Sequence, residues 1–469
     1  MLQSEIAVLR FGLGARPGDL AAAASDPRAW LRSQTRGPVE RAGVAVLAPS
    51  GEIFEAVLAA RAERREERQE AATPEAVKAA AAMLREAYQP HYRAQVLARA
   101  QSAALTMRPF GERLVHFWAN HFAVSADKGA IQGLAGTLEN EAIRPHVNGR
   151  FVQLLTAVEQ HPAMIAFLDN QYSVGADSPA ARRAALRFDA SADRPKRRFG
   201  INENLAREIL ELHTLGVGGG YRQEDVTSFA QILTGWSIGG GRGRLAGGDP
   251  GKFYFRGELH EPGPKMLLGK RYAEQGQAEG EAALADLAAH PSTARFLATK
   301  LVRHFVSDDP PPEAVERLAR AYLKSGGDLS QMYAALIESP EAWEPRPRKF
   351  KTPEDFVFST LRALELTPST PQEVIHAFEL MGQRQYTPGS PAGWADTAAN
   401  WDGSDALMRR VLWASQTAGR YPGGTSPEDV AGAALGALLR PETRTAMHRA
   451  SSGPQALALL LMSPEFQRR

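Results

Sequence analysis

The chain has 469 residues, 43% of them hydrophobic and 23% charged, with a net charge of +2 and no cysteine. Such a length and composition suit a large folded core, and the balanced charge leaves no footprint for a nucleic-acid or membrane-surface partner. The absence of thiols excludes disulfides, thiolate metal sites and cysteine nucleophiles.

No apolar run reaches the roughly 18 residues of a membrane span. Residues 1–20 lack a basic segment followed by an apolar one, and Arg10 and Arg16 do not form a twin-arginine pair. The expectation is a cytoplasmic protein with no transmembrane segment.

Helical periodicity begins at Ser4–Leu9 and Asp19–Gln34. Glu52–Glu70 follows as a helix with charges of both signs on most faces, a pattern of solvated helix surface. Thr73-Pro74-Glu75 reads as a helix start, cap then proline, for a long helix towards Leu105 with a break expected near Pro90. Helices are then expected at Gly111–Phe122, Asp127–Ile143, Phe151–Gln160 and Ala163–Asn170. Ser173–Gly200 is polar and basic and reads as a surface loop or a lid. Asn202–Gly216 and Gln223–Trp236 form a helical pair joined by a glycine-rich connector.

Residues 237–272 are rich in glycine and proline. Within them Phe253-Tyr254-Phe255 and Met266-Leu267-Leu268 flank Glu261-Pro262-Gly263-Pro264, which fits one hairpin. Helices resume near Glu274. The segment Leu336–Trp343 echoes Leu460–Phe466: helix, serine, proline, then an aromatic anchor. No clean linker divides the chain, so the fold expected is mainly α, one large helical domain over residues 1–469 with a small β-hairpin insertion.

Chemistry concentrates in Asn202–Gly216. At about 100° per residue, Leu205, Ile209 and Leu212 make an apolar stripe, flanked on one side by Glu208, Glu211 and Asn204 and on the other by Asn202 and His213. Two carboxylates three residues apart converge on one point, which suits a divalent cation or an acid/base pair. The plainer account is that Asn202 or Asn204 caps the helix, Glu203 answers its dipole, and the glutamates hold arginines. His116 and Asn120 share a face of Gly111–Phe122, next to Phe117 and His121. Asp169 ends a helix and is either a turn residue or a further carboxylate. His260 and Lys265 bracket the Pro-Gly turn, placed to reach over a pocket as loop residues do. His304 with Asp308-Asp309 reads as a charged helix end. No P-loop, dinucleotide-binding fingerprint or nucleophile elbow is present.

Several blocks together resemble the bacterial family known as domain of unknown function 1800. They are Phe117-Trp118-x-Asn120-His121-Phe122, Phe167-Leu168-Asp169-Asn170, Asn202-Glu203-Asn204-x-Ala206-Arg207-Glu208-x-x-Glu211-Leu212-x-Thr214-Leu215-Gly216, Gly220-Tyr221, Leu233-Thr234-Gly235-Trp236, His260 with Gly263 and Lys265, and Gly393-Trp394 with Trp401. The resemblance spans almost the whole chain. It departs at Ala119, where relatives often carry His, at Arg222, often Thr, and at His213, often Phe. It implies a neighbouring sulfatase-like protein as a partner, and a periplasmic location if the two are exported together.

Two functions are carried forward. In the first, Glu208, Glu211, His121 and Asp169 bind a divalent metal for an enzyme, Arg207 joins Glu208 and Glu211 in catalysis, and Asn202, Asn204, His260 and Lys265 bind substrate. In the second, the chain is a non-catalytic assembly partner of the sulfatase-like protein.

Overall fold

Proline sets where many of these helices begin. Pro27, Pro109, Pro162, Pro291, Pro312, Pro353, Pro371, Pro427 and Pro441 each open a helix in its first turn, where the missing N–H leaves no unpaired donor. Asp26, Thr352, Thr370, Ser426 and Ser452 cap the helix that follows through side-chain oxygens. The computed structural model describes every residue except 1, 44–45, 71–73, 130, 189–199 and 241–245; the side chains of 61–70 and 74–85 also lie outside the description.

The architecture is mainly α with two small two-stranded sheets. The expected Asp19–Gln34 helix is two, Asp19–Ala23 and Pro27–Ser33, because Asp26 and Pro27 restart it. Helix α1 (Pro74–Leu105) runs through Pro90 without the expected break. Burial of Val96, Ala100 and Ala103 beyond the proline outweighs the one backbone bond it removes. Helix α2 (Pro109–His121) follows and is buried over most of its length. The mixed-sign run 61–70 is helical, its side chains outside the described residues. Of the basic stretch 173–200, Pro179–Phe188 is a helix rather than loop, and the remainder of the lid expectation falls largely on 189–199, outside the description.

Helix α3 (Asn204–Glu208) passes into a π-helical turn, Ile209–His213. The small β insertion expected over 237–272 is present, but Phe253–Phe255 does not pair with 266–268 as expected. Strand β1 (Trp236–Ile238) pairs antiparallel with β2 (Phe253–Phe255), and β3 (Lys265–Leu267) pairs with β4 (Lys270–Tyr272). The Glu261–Pro264 turn therefore joins two sheets instead of two strands of one. Helices α4 (Gln277–Ala289) and α5 (Pro291–Phe305) follow, and α5 packs on Pro312–Lys324. Helices α6 (Pro353–Ala363) and α7 (Ser404–Gly419) belong to the C-terminal part. The echoed segments do share a device: Trp343 and Phe466 are both buried anchors one turn past a Ser-Pro step.

Two apolar clusters form the interior. One holds Phe110, Leu114 and Trp118 of α2 with Leu297 and Leu301 of α5. The other holds Val96 and Ala100 of α1, Phe356 and Phe358 of α6 and Trp413 of α7. Trp30, Tyr92 and Tyr386 pack against both. Among the described residues no helix is long and apolar enough to cross a membrane.

Candidate functional site: a cleft walled by two charge rings

Where the two clusters meet, helix α2 faces helix α6, and each contributes a pair of adjacent charged residues: Glu112-Arg113 and Glu354-Asp355. One member of each pair enters a different closed ring. In the first ring, Arg144 donates to both oxygens of Glu112 (2.7 and 2.6 Å) and to Glu139 (3.0 Å). Arg99 bonds Glu139 and donates to both oxygens of Glu354 (3.0 and 3.2 Å). His116 closes the circle, its Nδ1 3.1 Å from Glu354 and its Nε2 3.4 Å from Glu112. Three carboxylates face two arginines and one histidine, so the ring is neutral when His116 is protonated. Burial and Arg99 oppose that proton, but Glu354 and Glu112 outweigh them and hold the His116 pKa above its ordinary value.

The second ring needs the opposite state of its histidine. Asp355 accepts from Arg113 (2.7 Å) and from Nε of Arg469 (2.9 Å). Asp396 lies 2.6 Å from Nδ1 of His304 and 3.6 Å from Arg469. Nε of Arg113 donates to Nε2 of His304 at 3.1 Å. Two aspartates balance two arginines, so His304 must be neutral, with its proton on Nδ1 towards Asp396. Burial pushes its pKa down to about 4 against the pull of Asp396. His304 is therefore a ring member and not merely the charged helix end expected from sequence.

These opposite demands give a pH signature. Unfolded chains take up a proton at His304 near its ordinary 6.5, whereas the folded protein resists until about 4, so stability falls as pH drops through that window. Burial opposes, but the Arg99 charge holds Glu354, and the His304 N–H together with Lys349 and Arg469 holds Asp396, both near 2; they add a second loss between their ordinary range and about 2. His116, raised, acts oppositely: its contribution is full below its unfolded pKa and fades as pH rises through the folded one. Urea midpoints measured across pH should fall steadily from about 6.5 downwards; a midpoint unchanged to pH 4 would show that the second ring does not hold His304 neutral.

Above the rings lies a cleft of about 450 Å³, lined also by Asn120, His121, Lys300, Arg303, Tyr386 and Trp394. The side-chain amide of Asn120 donates to the Trp394 carbonyl (2.9 Å) and accepts from its N–H (2.7 Å). Tyr386 sits at a positive φ of 55°, a strained conformation that recurs at ligand sites. His121 directs Nε2 at the His213 carbonyl (3.1 Å). A carbonyl only accepts, so the proton is on Nε2 and Nδ1 carries a lone pair; that atom is buried without a partner. Burial, then Lys300, keep His121 neutral. His213 in turn holds Glu159 at 2.8 Å.

Lys300 differs from every ring member. Its ammonium lies 5.6 Å from the centroid of the Phe296 ring and makes no hydrogen bond or ion pair with a described residue. Burial depresses its pKa to about 8, Asp396 opposing and Arg303 assisting.

The residues singled out from sequence are mostly elsewhere. Of the nine, His121 alone lines this cleft. Glu208 is half-buried beside His213 and Glu211, and burial raises its pKa; burial, then Glu211, raise the pKa of the Tyr221 hydroxyl. Asn204 is exposed, and its N–H donates to the Asn202 side chain (2.9 Å), which donates to the Leu168 carbonyl (3.0 Å), so the asparagines organise the helix start. Arg207 pairs with Glu203 (3.0 Å) and Gln223. Asp169, at φ 59°, pairs with Lys128 at 2.7 Å. His260 and Lys265 do not reach over a pocket: both are buried and meet Glu279 at 3.2 and 3.3 Å. Among the described residues no three His, Asp or Glu side chains are gathered as a metal-ion site, so the four expected ligands do not converge. Arg222, where relatives often carry Thr, has no hydroxyl to cap the following helix; its N–H donates to Asp225 at 2.9 Å.

The family described as "Protein of unknown function (DUF1800)" matches residues 6–468. The chain belongs to that family. No curated protein and no solved structure matches it. Two blocks that carry the family resemblance, Asn120-His121 and Gly393-Trp394, are the ones that the Asn120 clamp joins at the cleft. Sequence reasoning missed Glu112, Arg113, Lys300, Glu354, Asp355 and Asp396. One signal was available: Glu112, Arg113 and His116 interrupt the apolar face of a helix otherwise rich in Phe, Leu, Val and Trp.

Proposed function

We propose that the cleft is an enzyme active site for a polar, negatively charged substrate, with Lys300 and His121 as its working pair. One observation carries this reading: the charges of each ring balance within the ring, while the Lys300 ammonium lines the cleft with no bonded counter-charge among the described residues. An anionic group of the substrate supplies that charge. The free Nδ1 of neutral His121 accepts a hydrogen bond or proton from an adjacent hydroxyl or bound water, and Lys300 stabilises the negative charge that then develops. The rings fix the wall on which both are mounted. The metal-assisted reading of Glu208, Glu211, His121 and Asp169 gains no support, since those donors do not converge.

The test begins without substrate. An uncompensated cation in a cleft is a stability cost kept for function. Lys300→Met should raise the unfolding free energy of the ligand-free protein by about 0.5–2 kcal/mol, with the gain shrinking above pH 8 as the wild-type amine loses its proton. Small carboxylates and phosphate esters that stabilise the wild type in a thermal-shift screen should lose that effect in Lys300→Met. A destabilised Lys300→Met protein, or undiminished ligand stabilisation, would reject the reading.

The assembly-partner alternative has its own observation. Met408, Val411 and Leu412 of helix α7 are 59%, 40% and 49% exposed and lie three and four residues apart, one face of the helix. That face is the docking surface on which a sulfatase-like partner would sit; charge substitutions there should abolish co-purification with such a partner and leave Lys300-dependent ligand binding intact.

A further inference from the structure

A second concavity, of about 400 Å³, lies away from the cleft and shares no residue with it. Its lining is Arg346, Pro347, Arg348, Leu438, Arg440, Pro464, Glu465 and Arg468. We infer that this groove is a binding site for a tetrahedral oxyanion, a phosphate or sulfate group, gripped by the guanidinium groups of Arg346, Arg348, Arg440 and Arg468.

Four guanidiniums meet too few carboxylates here. Arg348 pairs with Glu344, and Arg440 lies 3.8 Å from Glu465. Arg346 and Arg468 have no ion pair with a described residue; Arg468 donates to the Arg348 carbonyl at 3.3 Å and lies 5.7 Å over the Phe350 ring. With four cations against Glu344 and Glu465, a charge of about +2 is left in one groove, which a dianion balances. The same groups would have dispersed by repulsion if the backbone did not hold them. Buried Arg10 donates to the carbonyls of Ala342, Glu344 and Arg346 (2.8 Å to Glu344, 3.2 Å to Arg346) and so pins one wall. The other wall is pinned by an antiparallel bridge between Phe350 and Arg468. Glu465 is buried and accepts from the Arg440 N–H (3.1 Å), fixing the third segment.

Guanidinium chemistry selects the ligand class. The planar fork donates two parallel hydrogen bonds to oxyanions, and several forks around one point suit a tetrahedral group with oxygens on every side. A planar monoanion such as acetate satisfies one fork and leaves the others unpaired. The groove is also larger than a bare oxyanion needs, leaving room for the sugar or alcohol that bears it.

The experiment is calorimetric titration of the full chain with inorganic phosphate, with inorganic sulfate and with acetate, at matched ionic strength. Saturable binding of phosphate, sulfate or both, with none for acetate, is expected; which of the two binds more tightly identifies the source of the group. Arg346→Gln, whose side chain makes no bond to a described residue, should weaken binding about tenfold, and Arg346→Gln with Arg440→Gln more than additively weaker binding still. Lys300→Met should leave this binding unchanged, which separates the groove from the cleft. Equal effects of acetate, absence of saturation, or affinity unaffected by the arginine substitutions would overturn the inference.

Discussion

Glu112→Gln should be among the most destabilising single substitutions in this protein, costing about 3–5 kcal/mol of unfolding free energy. The side chain keeps its shape and loses its charge, so packing is not the cause. Arg144, 4% exposed, loses the carboxylate that receives two of its hydrogen bonds, and His116 loses one of the two acids that keep it protonated. The ring becomes a buried net cation. It has one escape, deprotonation of His116, which restores neutrality at the cost of its bond to Glu354. The His116 proton titrated by NMR should therefore be lost at lower pH in the variant. Glu112→Gln with Arg144→Met should recover part of the loss, because an unpaired buried charge costs more than an absent pair. A loss below about 1 kcal/mol in urea would mean that the ring is surrounded by enough water to be replaced.

Gly393→Ala is the second. Gly393 has φ +81°, and a Cβ there would stand 2.3 Å from the Asn120 carbonyl and 2.7 Å from its side-chain oxygen. The backbone strain costs about 1–3 kcal/mol, and moving the loop breaks the two bonds of the Asn120 clamp, worth about 1 kcal/mol each. A total near 3–5 kcal/mol is expected, with a change in tryptophan fluorescence, since Trp394 and Trp401 pack with centroids 6.1 Å apart. Gly389→Ala, in the same loop, is the control. A Cβ at Gly389 meets nothing within 4 Å, so its effect should stay within about 0.5 kcal/mol. Equal effects at the two positions would show that the close approach to Asn120 is not what requires glycine.

Family membership was legible in the order of the short blocks, and the helical class in apolar spacing, because both are local properties of the chain. The start at Pro74 was legible for the same reason, whereas Pro27 was passed over inside the expected Asp19–Gln34 helix. Strand partners were not legible: Phe253–Phe255 carries the right residues for a strand, but pairing is non-local, and Trp236, the first residue of β1, reads as the end of the preceding helix. Around Glu208 a constant turn per residue failed for a specific cause. The π-turn Ile209–His213 changes the phase of the helix, so His213 swings inward to Glu159 while Leu212, assigned to the apolar stripe, is half-buried.

What the sequence by itself determined is a cysteine-free helical protein of this family, with polar residues crowded around His116–His121 and Asn202–Gly216. The cleft was decided by the tertiary structure alone. Its rings join residues as distant as Arg99 and Glu354, or Arg113 and Arg469, and no spacing rule connects positions so far apart. Thr352-Pro353-Glu354-Asp355 reads locally as a helix cap, and it is one: Asp355 accepts from the Thr352 N–H at 3.3 Å. Only the docking of α6 against α2, which brings Arg113, and against Arg469 gives the same carboxylate two arginines. Protonation was decided there too. Two histidines of the same residue type carry opposite charge states because one is enclosed by three acids and two arginines and the other by two of each.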